Sequence, residues 1–190
     1  CVKAHFFKNP EPILNESDFA EMIVDSPNDG GADILLSDPN SETSDLVIGQ
    51  SKFYKTISKE TVLNAMRKMA DFYKDMTEGH YERVNARVRS RFITLNAEVG
   101  KESKIHFVFY TFAPKKGSID TTYIERKFRD LFVDSSAIEV SILFADDIAE
   151  EIRDSESRRQ TVEHDKIHID EADNYLLYGD DAAIVNVRSE

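Results

Sequence analysis

Three polar residues interrupt two apolar stretches in the first third of the chain. Asp33 stands at the start of the run DILLS, and Gln50 and Lys52 stand at the end of the run LVIGQSK. Because alternate residues of a strand point to the same face, Gln50 and Lys52 are expected to project together, and a hairpin would bring both to Asp33. A carboxylate oxygen, an amide oxygen and an ammonium group on one face are the minimum set for phosphodiester hydrolysis with Mg²⁺ or Mn²⁺.

Each of these groups has a physical reason to be there. Mg²⁺ prefers oxygen ligands and needs only one or two carboxylates from the protein. A lysine beside it orients the attacking water, accepts its proton or offsets the negative charge of the transition state. A plainer interpretation stays open, in which Asp33 shapes a turn and Lys52 reaches solvent from a strand end.

The elements around these residues predict an α/β fold, a mixed central sheet flanked by helices. Short runs rich in Ile, Leu, Val and Phe predict strands, helical spacing of apolar residues predicts helices, and Ser58 and Asp120 are expected helix caps. The predicted strands are residues 32–37, 46–53, 104–112 and 137–144, and the predicted helices are residues 13–25, 58–78, 80–99 and 120–132.

The last part of the chain differs in composition. A short helix from Ala145 is expected to fade into a polar stretch, followed by strands at KIHID (166–170) and AAIVNVRSE (182–190) with the turn YGDD between them. We therefore predict one compact domain over residues 1–154. Residues 155–190 are predicted to form an acidic extension, a connector or a partner-binding element.

Charge is distributed unevenly along the chain. The net charge is −12, yet residues 51–133 carry 17 basic and 10 acidic side chains, a net charge of +7. This middle segment is therefore the expected site of phosphate contacts, although a basic stripe that is merely solvated is the alternative. Arg83, Arg87 and Arg91 repeat every four residues on a predicted helix and so share a face. The full set of candidates is Lys55, Lys59, Arg67, Lys68, Arg83, Arg87 and Arg91.

The segment DGGADILL together with LVIGQSKFYK resembles the PD-(D/E)XK restriction-endonuclease-like superfamily. Within it, the chain is most similar to the branch with Gln in the usual Glu position, seen in type IV (Mrr-like) restriction enzymes and in abortive-infection phage-resistance (AIPR) proteins. The segments KIHFVFYTF and IEVSILFADDIAEEI are similar to the strand and the strand–helix that close the AIPR nuclease core. The resemblance covers roughly residues 14–150.

The resemblance implies a role for each motif residue. Asp33 would be the metal-binding carboxylate, Gln50 would supply a ligand oxygen through its amide, and Lys52 would be the catalytic lysine. A helix glutamate usually completes such sites, with Glu21 the first choice and Glu16 the second. For the Asp29 side chain, shaping the glycine turn is the expected role, and a direct or water-mediated metal contact is the alternative.

The implied function is a Mg²⁺-dependent endonuclease domain that cuts DNA, held through its backbone phosphates, in bacterial defence against phage, with a homodimer as an open possibility. Two other functions compete with it. One is a catalytically degenerate nuclease fold that binds nucleic acid or a protein. The other is an interaction domain whose acidic C-terminal third docks a protein partner, and for which the apparent site is incidental.

Cysteine and histidine usage argues against other chemistries. One cysteine, Cys1, excludes a disulfide framework and zinc sites built on paired thiolates, which indicates a cytoplasmic protein, and a start at cysteine indicates a processed chain or a fragment. His164 and His168 are four apart, but the alternation around them predicts a strand and no zinc site. The aromatic residues Tyr54, Phe72 and Tyr73 are expected in the core, with base stacking as the alternative.

Overall fold

The fold is described from a computed structural model. The structure describes residue 6 and residues 20–115, 117, 119–160, 175–178 and 182–185, with side chains as far as residue 154. The chain divides into two units, Cys1–Arg158 and Arg159–Glu190. The predicted domain boundary after residue 154 lies inside the helix Ala145–Gln160, which also contains this division.

The first unit is built on a four-stranded mixed sheet in the order β1-β2-β3-β4. The β1 and β2 strands form the predicted antiparallel hairpin, and β2, β3 and β4 run parallel to one another. The strands are β1 Ile34–Ser37, β2 Leu46–Lys52, β3 Ile105–Thr111 and β4 Ile138–Leu143. The α/β class with a mixed sheet flanked by helices is therefore confirmed.

In the described part of the chain, four helices accompany the sheet besides the short helical segment 20–22, and polar caps start three of the four. Ser58, Asn85 and Asp120 each accept a hydrogen bond from a backbone N–H of the first turn, which satisfies donors that the helix itself leaves free. Gly79 ends the first helix in the left-handed conformation. The helices are α1 Lys59–Glu78, α2 Ala86–Asn96, α3 Thr121–Arg129 and α4 Ala145–Gln160.

The larger core lies between the sheet and helices α1 and α3. Along α1, Val62, Met66, Met69 and Met76 are buried as predicted, and Tyr73 is partly buried against them. Phe107 on β3 contacts an aromatic group from α1, α3 and the segment after α3, which is Tyr73, Phe128 and Phe132. A smaller core on the opposite face includes Val47, Val108 and Ile148. Both faces of the central strands are therefore covered.

Two helix predictions need correction. The predicted helix 80–99 is a 3-10 turn, Tyr81–Arg83, followed by α2, because the Asn85 side chain caps a new helix by accepting from Val88 N at 3.0 Å. The predicted helix 13–25 is helical at residues 20–22 and ends there, because Ile23 enters an antiparallel bridge with Ile34. Its residues 13–19 lie outside the described part of the chain.

The second unit contains a two-stranded antiparallel sheet, β5 Tyr175–Tyr178 and β6 Ala182–Val185. A strand was predicted at the second of these positions, while the predicted strand 166–170, with His168, lies outside the described residues, as does His164. Tyr178, assigned to a turn by sequence, is the last residue of β5. Across the described ranges, no helix has the length and apolar character needed to cross a membrane.

Candidate metal and phosphodiester site

Asp33 directly precedes β1, and both its main chain and its side chain form hydrogen bonds with β2. Its N–H donates to Gly49 O at 2.9 Å, and its Oδ2 accepts from Ser51 N at 2.7 Å. The Lys52 Nζ lies 3.9 Å from the same oxygen. Asp33 is only 6% exposed, so its carboxylate is fixed in orientation. The hairpin thus brings together the carboxylate and the ammonium as the sequence predicts.

Gln50 is the second buried polar residue of the hairpin, with an exposure of 3%. The register pairs Ile34 with Gly49, so one step further along the ladder Asp33 stands opposite Gln50. Among the residues that the structure describes, Gln50 Oε1 has no hydrogen-bond partner. A buried acceptor left without a partner costs about 1–3 kcal/mol. An amide oxygen maintained at that cost is suited to a cation or a donor from a ligand.

A carboxylate cluster completes the site, and it includes a residue that the sequence did not indicate. Carboxylate oxygens of Asp25, Asp29 and Asp33 all lie within 4.8 Å of one another. Val24 N donates to Asp33 O at 2.9 Å, so the chain doubles back between these residues and sets Asp25 near Asp33. Asp29 Oδ1 accepts from Gly31 N at 2.7 Å, the turn-shaping role predicted for it. The sequence did carry a signal for this cluster, because Asp25, Asp29 and Asp33 are spaced four residues apart around Gly30 and Gly31.

The two glycines of this turn leave room for the site. Gly31 has φ +94°, and a Cβ there would lie 3.1 Å from Lys68 Cβ and 3.5 Å from Gln50 Nε2. Gly30 has φ +72°, and a Cβ there would lie 2.7 Å from the Phe72 ring. Both backbone conformation and space therefore require glycine here. This explains why the acidic residues flank Gly30 and Gly31.

Burial controls the electrostatics of Asp33. Removal from water, the largest effect, raises the pKa of its carboxyl group, while the hydrogen bond from Ser51 N and the charge of Lys52 each lower it. The neighbouring carboxylates of Asp29 and Asp25 raise the pKa further. A divalent cation among these oxygens would remove the repulsion and favour the ionised form. The donor set therefore fits a hard cation with oxygen ligands.

Beside the carboxylates lies a cleft of about 530 Å³ between the hairpin and α1. Its lining combines an acid, two amides, two hydroxyls and two cations. The residues that supply these groups are Asp29, Gln50, Lys52, Tyr54, Thr61, Asn64 and Lys68. Within the described part of the chain, the Lys68 side chain makes no hydrogen bond or ion pair. Lys68 is thus the basic residue of α1 best placed to meet an anionic ligand in the cleft.

Glu21, the glutamate first chosen to complete the site, is not part of the carboxylate cluster. Its Oε2 lies 3.6 Å from Arg91 Nη1, and its side chain is 70% exposed. The reason is the early end of the first helical segment, since the bridge from Ile23 to Ile34 begins two residues later. Asp25 takes the expected position instead. Glu16 lies outside the described residues.

The prediction that Arg83, Arg87 and Arg91 share one face of a helix is wrong. Arg83 belongs to the 3-10 turn and pairs with Asp75 at 3.1 Å, so it does not share a helix with the other two. Arg87 Nη2 donates to Ala20 O and, at 2.8 Å, to Ile23 O. Arg91 Nε donates to Leu35 O at 3.4 Å. Through these contacts Arg87 holds α2 to the segment before β1, and Arg91 holds α2 to β1 itself.

The remaining predicted phosphate contacts divide between the two sides of α1. Lys59 Nζ sits 3.6 Å from the centroid of the Tyr123 ring, and Arg67 lines a separate cavity of about 270 Å³ between α1 and α3. Lys55 is exposed and follows Lys52 closely in sequence. Of this group, Lys68 lines the cleft and Lys55 directly follows the cleft residue Tyr54; among the described residues neither side chain makes a hydrogen bond or an ion pair.

Comparison of the chain with protein-family models, with curated proteins and with solved structures finds no match in any of the three. The geometry of the cleft and of the carboxylate cluster is therefore the basis on which a function is proposed below.

Proposed function

We propose that this chain is a metal-dependent endonuclease domain with a restriction-endonuclease-like core, which hydrolyses DNA phosphodiester bonds in bacterial defence against phage. One observation carries the proposal. Lys52 Nζ lies 3.9 Å from Asp33 Oδ2 at a hairpin that also buries Gln50 Oε1, which has no hydrogen-bond partner within the described ranges. Carboxylate, amide oxygen and ammonium are the three groups that the motif resemblance assigns to metal binding and catalysis.

The donor set supports Mg²⁺ or Mn²⁺ as the cofactor. Mg²⁺ binds oxygen at about 2.0–2.1 Å and keeps several waters, so carboxylate oxygens within 4.8 Å of one another can share one ion directly or through water. Asp33 is the primary ligand of this proposal, with Asp25 and Asp29 beside it. The Gln50 amide oxygen adds a neutral ligand, and the ion would satisfy an acceptor for which the described part of the chain supplies no partner.

When bound, the ion polarises the phosphoryl group and lowers the pKa of a coordinated water. The chain itself supplies positioning. Ser51 N fixes Asp33 Oδ2 in one orientation. Lys52, whose side chain is 37% exposed, donates from Nζ to an attacking water or to a phosphoryl oxygen and offsets the charge that develops there. Lys68 and Lys55 attract the phosphates on either side through charge.

A plasmid-cleavage assay with Mg²⁺ or Mn²⁺ tests the proposal. Asp33→Asn and Lys52→Ala are expected to lower the cleavage rate by about 100-fold or more, as for the loss of a positioned acid–base or metal ligand group. Lys101→Ala removes an exposed lysine from a loop and serves as the control, with wild-type cleavage expected. Circular dichroism and thermal melting of each variant verify the fold. Unchanged cleavage by folded Asp33→Asn or Lys52→Ala contradicts the assignment.

A further inference from the structure

Two exposed phenylalanines stand together at the carboxyl ends of the central strands. Phe53 is 82% exposed and Phe112 is 44% exposed, and their ring centroids are 5.5 Å apart. The last register pair of β2 and β3 is Lys52 with Thr111, so each phenylalanine is the residue that follows its strand. The position of this pair is therefore set by the sheet, at the edge where the hairpin presents Lys52.

The aromatic pair lies at the end of the sheet where Lys52 lines the cleft. Phe53 stands in sequence between Lys52 and Tyr54, both of which line the cleft, and Tyr54 is itself 42% exposed. We call Phe53, Tyr54 and Phe112 the aromatic rim. Large apolar rings in water are unfavourable in proportion to their exposed area, at about 25 cal/mol per Å². Three exposed rings at this end of the sheet, of which Tyr54 lines the cleft, indicate a ligand that covers them.

The chemistry around the rim selects the class of ligand. Lys52 and Lys68 line the adjacent cleft and Lys55 follows Tyr54 directly, so flat apolar surfaces alternate with positive charges. Nucleic acid offers the complementary pattern of bases and phosphates, and single-strand-binding proteins combine a basic groove with aromatic rings. In an intact duplex the base faces are stacked on one another and inaccessible. Only unpaired bases can stack on the rim.

We infer that the aromatic rim stacks on unpaired bases next to the cleaved phosphate, so that the substrate class is single-stranded or locally unpaired nucleic acid. The inference rests on the proposed function only in that nucleic acid is the ligand of the cleft. It adds a substrate preference that the carboxylate and lysine residues do not define.

Fluorescence anisotropy with a labelled oligo(dT) strand, and with a blunt duplex of the same length, tests this inference. Ca²⁺ replaces Mg²⁺ in the buffer, so that the carboxylates are neutralised while binding is measured. The wild-type protein is expected to bind the single strand more tightly than the duplex. Phe53→Ala is expected to weaken single-strand binding by about 5- to 150-fold, the equivalent of about 1–3 kcal/mol for one stacked base.

Two further variants make the result specific. Phe53→Tyr keeps an aromatic face and is expected to retain single-strand affinity. Ile93→Ala removes an apolar side chain that is 45% exposed on α2 and does not line the cleft, and this variant is expected to bind as the wild type does. Thermal melting of all the variants verifies folding, which the high exposure of Phe53 favours.

The other outcomes overturn the inference. Equal weakening of single-strand and duplex binding by Phe53→Ala would indicate a wedge inserted into the double helix. Unchanged affinity of Phe53→Ala for both would leave the rim as a surface for a protein partner. A wild-type protein that binds the single strand without cutting it in Mg²⁺ contradicts the nuclease proposal but supports the stacking inference. Cleavage of duplex DNA at the same rate by the wild type and by Phe53→Ala would support the nuclease proposal and contradict the stacking inference.

Discussion

Lys52 and Asp33 form an ion pair, with Nζ 3.9 Å from Oδ2, in which the lysine is partly exposed and the aspartate is buried. The pair is held by the hairpin itself, since Ser51 N also donates to Asp33 Oδ2. Lysine therefore balances the charge of a carboxylate whose pKa is raised by burial and by two neighbouring acids. A cation in the carboxylate cluster would neutralise the charge of Asp33 in place of Lys52, so that the ammonium group of Lys52 could contact substrate.

The first prediction concerns which carboxylates bind the metal. Asp25→Asn and Asp29→Asn are each expected to weaken Mn²⁺ binding by at least about 10-fold, the lower end of what loss of a supporting metal-site residue costs, and Asp33→Asn is expected to abolish it. Isothermal titration calorimetry of the purified protein measures the affinities. Glu21→Gln is the matched control, because Glu21 pairs with Arg91 outside the cluster.

The same Mn²⁺ titration can also show that the carboxylate cluster is not the metal site. If Glu21→Gln weakens Mn²⁺ binding and Asp25→Asn does not, the metal is held by the helix glutamate that the sequence first indicated. Thermal melting provides a second readout, since a ligand that binds only the folded protein raises its melting temperature. Mn²⁺ is expected to raise the melting temperature of the wild-type protein and to leave that of Asp33→Asn unchanged.

The second prediction concerns the glycine turn. Gly31→Ala is expected to lower the free energy of unfolding by about 1–3 kcal/mol, because alanine is strained at φ +94° and its Cβ would lie 3.1 Å from Lys68 Cβ. Urea unfolding followed by circular dichroism measures the change. Gly117→Ala is the control, since a Cβ at Gly117 would have no atom within 4 Å. Equal stability of the two variants would show that the turn tolerates a side chain.

The third prediction separates a structural arginine from a ligand-binding one. Arg87→Ala is expected to lower stability by about 0.5–1.5 kcal/mol per lost hydrogen bond, because its guanidinium donates to the carbonyls of Ala20 and Ile23. Hydrogen exchange should show faster opening of the segment 20–24. Arg89→Ala, an exposed arginine of the same helix, is expected to change neither. A loss of DNA binding with full stability in Arg87→Ala would restore the phosphate-contact interpretation.

The sequence predicted the elements where periodicity and caps agree. Ser58 and Asp120 cap the helices that they were expected to cap, and the hairpin of β1 and β2 follows from two apolar runs separated by a turn-forming stretch. Alternation along β2 was sufficient to place Gln50 and Lys52 on one face. These are local properties of the chain, and they are encoded within a few residues.

Prediction failed where a long-range contact overrides a local pattern. The helical spacing before Asp25 continues past Met22, but the bridge between Ile23 and Ile34 ends the helix and moves Asp25, not Glu21, toward Asp33. The four-residue repeat of arginines likewise gave no sign that Asn85 starts a separate helix. Pattern alone does not reveal which partner a side chain meets across the fold.

The fourth prediction concerns the other end of the sheet, where Asp45 joins two strands. Asp45 Oδ1 accepts from Lys104 N at 2.7 Å and from Thr43 Oγ1 at 2.8 Å, and Oδ2 lies 3.2 Å from His106 Nε2. Burial by itself would raise the pKa of this carboxyl group, but the hydrogen bonds from Lys104, Thr43 and His106 outweigh it and hold the pKa below its ordinary value.

A lowered folded-state pKa gives this aspartate a defined effect on acid stability. Its ionised form stabilises the fold at pH values above the unfolded pKa of about 3.9, and the contribution is lost as the pH falls through the lower folded-state pKa. Asp45→Asn is therefore expected to be less stable than the wild type at neutral pH, and the difference should shrink as the pH approaches 3. Urea unfolding across this range measures it. Asp71→Asn, at an exposed position on α1, is the control and should be as stable as the wild type at every pH. If the stability difference between Asp45→Asn and the wild type does not vary with pH, Asp45 contributes no ionisation-linked stability.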